Sequence, residues 1–351
     1  MLTGNALVGV DPATQPRPPS GPAFAALDLG TNNCRLLIGT PVGDGFRVLD
    51  SFSRIVRLGE GLHHTGQLSP VGMERALGAL HTCSARLARR PIRAVRAIAT
   101  EACRRAANGM EFLARVRAET GLAINVISSR EEAELALESC APLLRGAARR
   151  ALLFDIGGGS TELAWVRIDA DGRPTLIGYN SLPIGVVTLA ERFGSAGLTP
   201  DGFEAMVGDV AERLRMFESI HCIAHEIRCG GVLLLGTSGT VTTLAGEALS
   251  LPRYRRPLVD GVVLGRRAAI QAVERLREMG REGLEQHPCV GPQRADFVLP
   301  GCAVFVAITR LWPAEQVVVA DRGLREGMLL RLIRADRSPH ARGWRSGAYP
   351  A

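Results

Sequence analysis

ALLFDIGGGSTELAWVRID, Ala151 to Asp169, runs an apolar strand into Asp155, then a turn of three glycines and two hydroxyl residues, then a second apolar strand. An imperfect copy, AFAALDLGTNNCRLLIGTP, occupies Ala23 to Pro41 and puts Asp28 where the other has Asp155. Glycine accepts φ > 0 and carries no side chain, so such turns can aim successive backbone N–H groups at one anion. An aspartate at the strand end adds a hard oxygen ligand for Mg²⁺, which takes one or two carboxylates alongside phosphate oxygens and water. A plain hairpin needs only Asn-Gly or Gly-Gly; three glycines followed by Ser-Thr point to an anion. One Asp-x-Gly turn is a weak signal. Two in repeated units predict a phosphate cleft between two similar domains.

The repeat extends outward from these turns. Strand patterns at 34–40 and 46–54 complete a three-strand meander in the first copy. Ser69 as N-cap, Pro70 at the first helical position and Pro91 beyond the end frame a helix. A strand at 92–99, a helix at 108–120, a strand at 122–127 and a helix at 129–144 follow, giving the order βββαβαβα. The second copy has strands at 151–156, 162–168 and 174–182 and a helix at 200–219. A strand at 232–235 runs into GTSGTVTTLAG; inserted helices near 265–278 and 294–311 precede a strand at 316–320 and a helix at 324–335. The fold class is therefore α/β, two duplicated βββαβαβα domains with an interdomain cleft. The domains are expected at 23–135 and 136–337, the second with a helical insertion, between a disordered leader (1–22) and a disordered tail (338–351).

A chain of 351 residues has material for two cores of ordinary size, and 46% hydrophobic with 22% charged residues fits a soluble globular protein. No apolar run nears the roughly 20 residues of a membrane span. Residues 1–22 lack the basic and apolar regions of a signal peptide, so no membrane partner is expected and the cytoplasm is the default. Eight cysteines without a CxxC pair fit reduced thiols. His221, Cys222, His225 and Cys229 in HCIAHEIRC are potential zinc ligands, but their spacing matches no finger and the run reads as a helix tail entering a strand. All 42 basic residues are arginine, which excludes a Walker P-loop, a protein-kinase strand lysine and Schiff-base chemistry. Arginine grips phosphate bidentately with a permanent charge. The net charge of +7 agrees with an acidic ligand, although an arginine-favouring codon bias gives the same composition. Only 5% of residues are aromatic and no basic tract interleaves with them, so nucleic acid is not expected as a partner.

A duplicated βββαβαβα unit with a phosphate turn after each first strand resembles the actin, Hsp70 and sugar-kinase superfold, of the actin-like ATPase and ribonuclease H-like type. Within it, ALDLGTNNCRLLI, RLGEGL, ATEACRRAANG, ISSREEAELAL, LLFDIGGGSTEL, LPIGVVTLAERF, GTSGTVTTLAG, VDG and VADRGLREGMLL resemble the exopolyphosphatase/guanosine pentaphosphatase family, in that family's order, over about 23–335. Many members carry a further helical region with an HD-type domain, and this chain ends before it; position 34 is Cys where an aromatic or aliphatic residue is more usual. The resemblance implies a homodimeric phosphoanhydride hydrolase that uses Mg²⁺, with Mn²⁺ as a substitute, on polyphosphate or guanosine pentaphosphate. Two other classes share the superfold. A kinase would place a catalytic Asp beside an acceptor hydroxyl and need a sugar or acid pocket. A nucleotide-binding scaffold would assemble or bind partners with ATP.

Hydrolysing a terminal phosphoanhydride needs charge neutralisation, an in-line water and a base. Gly30, Thr31, Asn32 and Asn33 from one turn and Gly157, Gly158, Gly159, Ser160 and Thr161 from the other are the expected cradle. Ser238, Gly239 and Thr240 close the pocket at a third strand end. Asp155 and Glu162 flank the second turn and are the expected metal pair, with Asp28 a further ligand candidate and Glu162 also a catalytic carboxylate. The resemblance adds Arg35 and Arg104 as cleft-facing cations, each otherwise an ordinary surface arginine. Glu131 is the expected base, where strand gives way to helix in SSREEAELAL. Ser129 as N-cap would engage Glu132 in a capping box and leave Glu131 free, and the resemblance puts the catalytic glutamate on the first of the pair. Ser128 with Glu131 would make the box one residue earlier. In the second copy the matching place in VADRGL holds Gly323, which leaves a base on one side only.

Overall fold

The computed structural model describes residues 21–144 and 148–337; of the expected disordered leader 1–22 all but the last two residues, and all of the expected disordered tail 338–351, lie outside them. The first sheet contains β1 (Ala23–Leu29), β2 (Asn33–Val42), β3 (Gly45–Ile55), β4 (Ile92–Ala99) and β5 (Asn125–Val126), in the order β3-β2-β1-β4-β5. The second contains β6 (Arg150–Ile156), β7 (Thr161–Ile168), β8 (Pro174–Leu182), β9 (Val232–Thr237), β10 (Val263–Gly265) and β11 (Gln316–Ala320), in the order β10-β11-β9-β6-β7-β8. In each sheet the first three strands form an antiparallel meander, and two further strands extend it in parallel from the first, β4 then β5 beside β1 and β9 then β11 beside β6. This is the duplicated α/β fold expected from the repeat, with β10 added at one edge.

Local chemistry explains the elements. β1 and β6 are central and covered on both faces, so AFAALDL and RALLFDI read as near-continuous apolar runs. The helix Pro70–Ala88 starts where Ser69 Oγ accepts from the Gly72 amide at 3.1 Å. Differences from the expected elements are local. β5 shrinks to two residues, and the helix Val186–Phe193 and strand β10 appear where none was expected. HCIAHEIRC is no helix-to-strand passage: Cys222 takes a left-handed conformation at φ 50, and a second helix, Ile223–Cys229, follows it.

The last helices of the two copies are exchanged between sheets. Ser129–Cys140 packs on β7 and β8, while Leu324–Arg337 packs on β1 and β2 and against its counterpart. One core between the sheets therefore contains Phe24, Leu37, Leu135, Leu153, Val166 and Met328 together. The boundary expected after residue 135 falls inside Ser129–Cys140, and the final helix assigned to the second domain lies on the first sheet. Among the described residues no helix is long and apolar enough to cross a membrane.

Candidate active site

Strands β1 and β6 deliver Asp28 and Asp155 to the same cleft, and cross-strand register decides what lies beside each. Asp28 faces Arg35 on β2, whereas Asp155 faces Glu162 on β7. The duplicated hairpins thus set a carboxylate opposite an arginine in register on one side and two carboxylates on the other. Glu162 is 3% exposed, and its Oε1 accepts from Ser160 Oγ at 2.5 Å and Ser181 Oγ at 3.0 Å. Burial holds Asp155 up at about 6. Burial and then the neighbouring Asp155 hold Glu162 up at about 7. Burial also raises Asp28, against the pull of Arg35 and Arg325.

The two turns meet face to face. A Cβ on Gly159 would come within 2.7 Å of Thr31 Oγ1, and one on Gly158 within 3.1 Å of Asn32 Cβ. Gly30, Gly157, Gly158 and Gly159 are absent from the positive-φ residues, so left-handed backbone is not why glycine stands there. The second turn needs glycine because the first packs onto it. Backbone hydrogen bonds close the turns at Gly30 N–Asn33 O and Gly157 N–Ser160 O, both 2.9 Å. The amides of Thr31, Asn32, Gly158 and Gly159 have no acceptor among the described residues. Thr161 departs from expectation: its Oγ1 donates to Ile184 O at 2.7 Å, and it does not line the cleft.

The adjacent glutamates exchange their expected places. Ser128, not Ser129, is the N-cap, its Oγ accepting from the Glu131 amide at 3.2 Å. At 3.6 residues per turn, moving the helix start by one residue rotates every side chain by about 100°. Glu131 therefore points outward to Arg96, with Arg96 Nη2 to Glu131 Oε1 at 2.9 Å, and does not line the cleft. Glu132 lines it instead, 7% exposed. Burial and then Glu162 push its carboxyl well above the ordinary range, against Arg104. Arg104, expected to face substrate, is committed to protein groups: it donates to Glu101 Oε2 (2.6 Å), Ile127 O (2.8 Å) and Glu132 Oε2 (3.3 Å). It anchors Glu132. The second-copy match also shifts: Glu326, whose Oε2 accepts from Gly323 N at 3.0 Å, corresponds to Glu131, and Gly327 to Glu132. A Cβ on Gly327 would collide with Leu135 O where the exchanged helices cross, so no side chain fits there.

The remaining expected residues, Asn33, Ser238, Gly239 and Thr240 among them, line one cleft of about 1200 Å³. Ser238 holds φ 100 and ψ 172, a region populated almost only by glycine, and its buried Oγ has no partner among the described residues. Sequence reasoning missed Arg57, Arg294 and Arg325, which line the same cleft. Like Arg35, they make no ion pair with a carboxylate among the described residues. Arg294 is oriented by Gly239 O (2.7 Å) and Thr243 Oγ1 (2.9 Å). Their signal in the sequence, the lack of lysine, did not say which of 42 arginines converge.

The donor set suits a hard divalent cation. Asp28 Oδ1 and Asn32 Oδ1 are buried without partners among the described residues, and burial raises the pKa of Asp28, Glu132, Asp155 and Glu162, with neighbouring carboxylates adding to the rise at Glu132, Asp155 and Glu162. Among the described residues no three His, Cys, Asp or Glu side chains are grouped as a metal site; the residues that could contribute to one are Asp155 and Glu162, cross-strand partners, with Asp28 in the same cleft. At the HCIAHEIRC run, Cys229 Sγ lies 3.6 Å from His225 Nε2, while the His221 ring packs on Phe217 at 4.5 Å.

The chain matches the model of the Ppx/GppA phosphatase family over residues 38–335. The Aquifex aeolicus structure from that family is 27% identical, with a TM-score of 0.73 over 90% of this chain and 99% of its own. An exopolyphosphatase-like protein is 26% identical, with a TM-score of 0.80 over 90% of this chain and 98% of its own. An exopolyphosphatase from Cytophaga hutchinsonii, 23% identical with a TM-score of 0.78 over 89% and 98%, shares the fold. With the family's match covering the whole second sheet and most of the chain, the chain belongs to the Ppx/GppA phosphatase family.

Proposed function

We propose that the protein is an exopolyphosphatase that hydrolyses the terminal phosphoanhydride of inorganic polyphosphate with Mg²⁺. One observation carries this reading: buried carboxylates and arginines without acid partners share a single cleft, a charge pattern suited to a polyanion and its cation. Mg²⁺ bound by Asp155 and Glu162, with Asp28 nearby, would neutralise charge on the transferred phosphoryl group. The facing turns offer uncommitted amides to that group's oxygens, and Arg35 adds a permanent charge. Glu132 acts as the base that orients the attacking water and takes its proton. Burial and then Glu162 raise its proton affinity above that of an ordinary carboxylate, the direction a general base needs. Arg104 fixes its orientation.

Removal of the terminal phosphate of guanosine pentaphosphate is the second reading, favoured by Tyr254 and Phe297 on the cleft wall, which suit a base. Orthophosphate release from polyphosphate, guanosine pentaphosphate and ATP, measured in parallel with and without Mg²⁺, tests both. Fastest release from polyphosphate is expected. Release confined to guanosine pentaphosphate would select the second reading, and release from ATP alone would overturn both.

A further inference from the structure

Among the described residues, Arg57, Cys222, Ser238 and Ser250 hold a positive φ without being glycine, and Arg57 and Ser238 line the cleft from opposite domains. Arg57, in RLGEGL after β3, has φ 47, while the same loop uses glycine for its next left-handed position, Gly61 at φ 76. A Cβ is strained in that region, and such strain persists where the surroundings over-determine it, often at ligand sites. Here they do. The amides of Val56 and Arg57 donate to Asn32 O at 2.8 and 3.1 Å, and Gly59 N donates to Thr31 O at 2.9 Å, tying the segment to the first phosphate turn. Arg75 braces it from outside, donating to Val56 O (2.8 Å), Arg57 O (3.1 Å) and Glu60 Oε2 (2.6 Å).

This scaffold fixes where one guanidinium points. The Arg57 side chain makes no hydrogen bond among the described residues and lies 5.6 Å from the ring centre of Phe297, on the helix Ala295–Leu311 of the other domain. Nearby, Gly61 N donates to Glu191 Oε1 at 2.8 Å, a second link across the cleft. Stacking on a ring leaves the edges of the guanidinium fork open to phosphate oxygens. Asp28, Asp155 and Glu162 stand on β1, β6 and β7 and Glu132 on the helix Ser129–Cys140, whereas the Arg57 guanidinium lies against Phe297 and reaches no carboxylate within ion-pair distance among the described residues. It therefore offers a phosphate contact apart from the carboxylate cluster.

We propose that Arg57 binds a phosphate of the substrate chain beyond the terminal one, and that its contact with Phe297 couples chain binding to apposition of the two domains. This rests on the phosphoanhydride-hydrolase reading above. Arg57→Gly tests it, because glycine suits the left-handed backbone while removing the guanidinium. The melting temperature should stay level or rise, and KM for polyphosphate should rise roughly 10- to 100-fold, the loss of one charged hydrogen bond, with a smaller effect on kcat. Arg57→Lys, which keeps charge without the fork, should fall between. Phe297→Leu should raise KM less, and adding it to Arg57→Gly should cost nothing further. A lowered melting temperature with unchanged KM would make Arg57 a structural fastener and overturn the proposal, as would a KM unchanged at any stability. If the wild-type protein releases no orthophosphate from polyphosphate or guanosine pentaphosphate, the hydrolase reading fails and this proposal with it. If the wild type turns over and Arg57→Gly matches it, the proposal alone fails.

Discussion

Glu131 and Glu132 are neighbours with opposite surroundings, and this makes them the sharpest test of the site. Glu132→Gln keeps shape but removes the proton acceptor, and is expected to lower kcat about 10²–10⁴-fold. Glu131→Gln gives up a partly exposed ion pair with Arg96, so it is expected to keep turnover and lose at most about 1 kcal/mol of stability. Turnover and thermal unfolding of the two variants side by side decide between them; an activity loss in Glu131→Gln alone would return the base to the first glutamate. Glu162 makes a prediction about pH. Its folded pKa is about 7 against an ordinary 4.5, so the folded state binds the proton more readily than the unfolded chain. The associated stability is present below about pH 4.5 and is lost as pH rises through about 7. Glu162→Gln is therefore expected to stabilise the metal-free protein at pH 8 by roughly 1–3 kcal/mol, with little change at pH 4. Melts at both pH values check the sign, and destabilisation at pH 8 would mean the charged carboxylate is better solvated than its burial implies.

At the scale of elements, the helix Ser129–Cys140 and its exchange with Leu324–Arg337 decide what the turns alone leave open. Gly327→Ala tests the crossing. In an exposed helix this substitution stabilises by about 1 kcal/mol, but here the new Cβ runs into Leu135 O. The backbone cannot yield as a side-chain tip does, so the clash should prevail and destabilise by about 1–3 kcal/mol; a raised melting temperature would show that the helices separate freely. The elements themselves were legible to different degrees. Ile92–Ala99, Pro174–Leu182 and Gln316–Ala320 have the observed bounds because apolar pattern and flanking breakers agree there. HCIAHEIRC was misread because Cys222 turns the chain through a left-handed conformation that no local signal marks in a cysteine. The start of Ser129–Cys140 was misread because Ser128 and Ser129 are equally good caps with a glutamate three residues on, and packing against the second sheet chooses between them.

At the scale of the whole molecule, the cleft brings carboxylates from both sheets together, and a divalent cation is the expected partner of that charge. Chelator-treated protein should lose turnover and recover it with Mg²⁺ or Mn²⁺, and at pH 8 its melting temperature should rise on adding Mg²⁺, a rise that Glu162→Gln diminishes. Full activity after exhaustive chelation would remove the metal from the mechanism. The repeat, its two glycine- and hydroxyl-bearing turns and the α/β class were legible in the sequence alone, because strand periodicity, turn composition and lysine content are local properties of the chain. The three-strand meander that opens each sheet follows from that repeat, whereas β10 at the edge of the second does not. Only the tertiary structure decided that glycine in GGGST makes room for Thr31 and Asn32 and serves no left-handed turn. It alone turned Glu132 inward and Glu131 outward, and committed Arg104 to holding a carboxylate. Arg57, Arg294 and Arg325 are scattered along the sequence and meet only where the two domains face each other. Such convergence is a long-range consequence of packing, and no window of local sequence contains it.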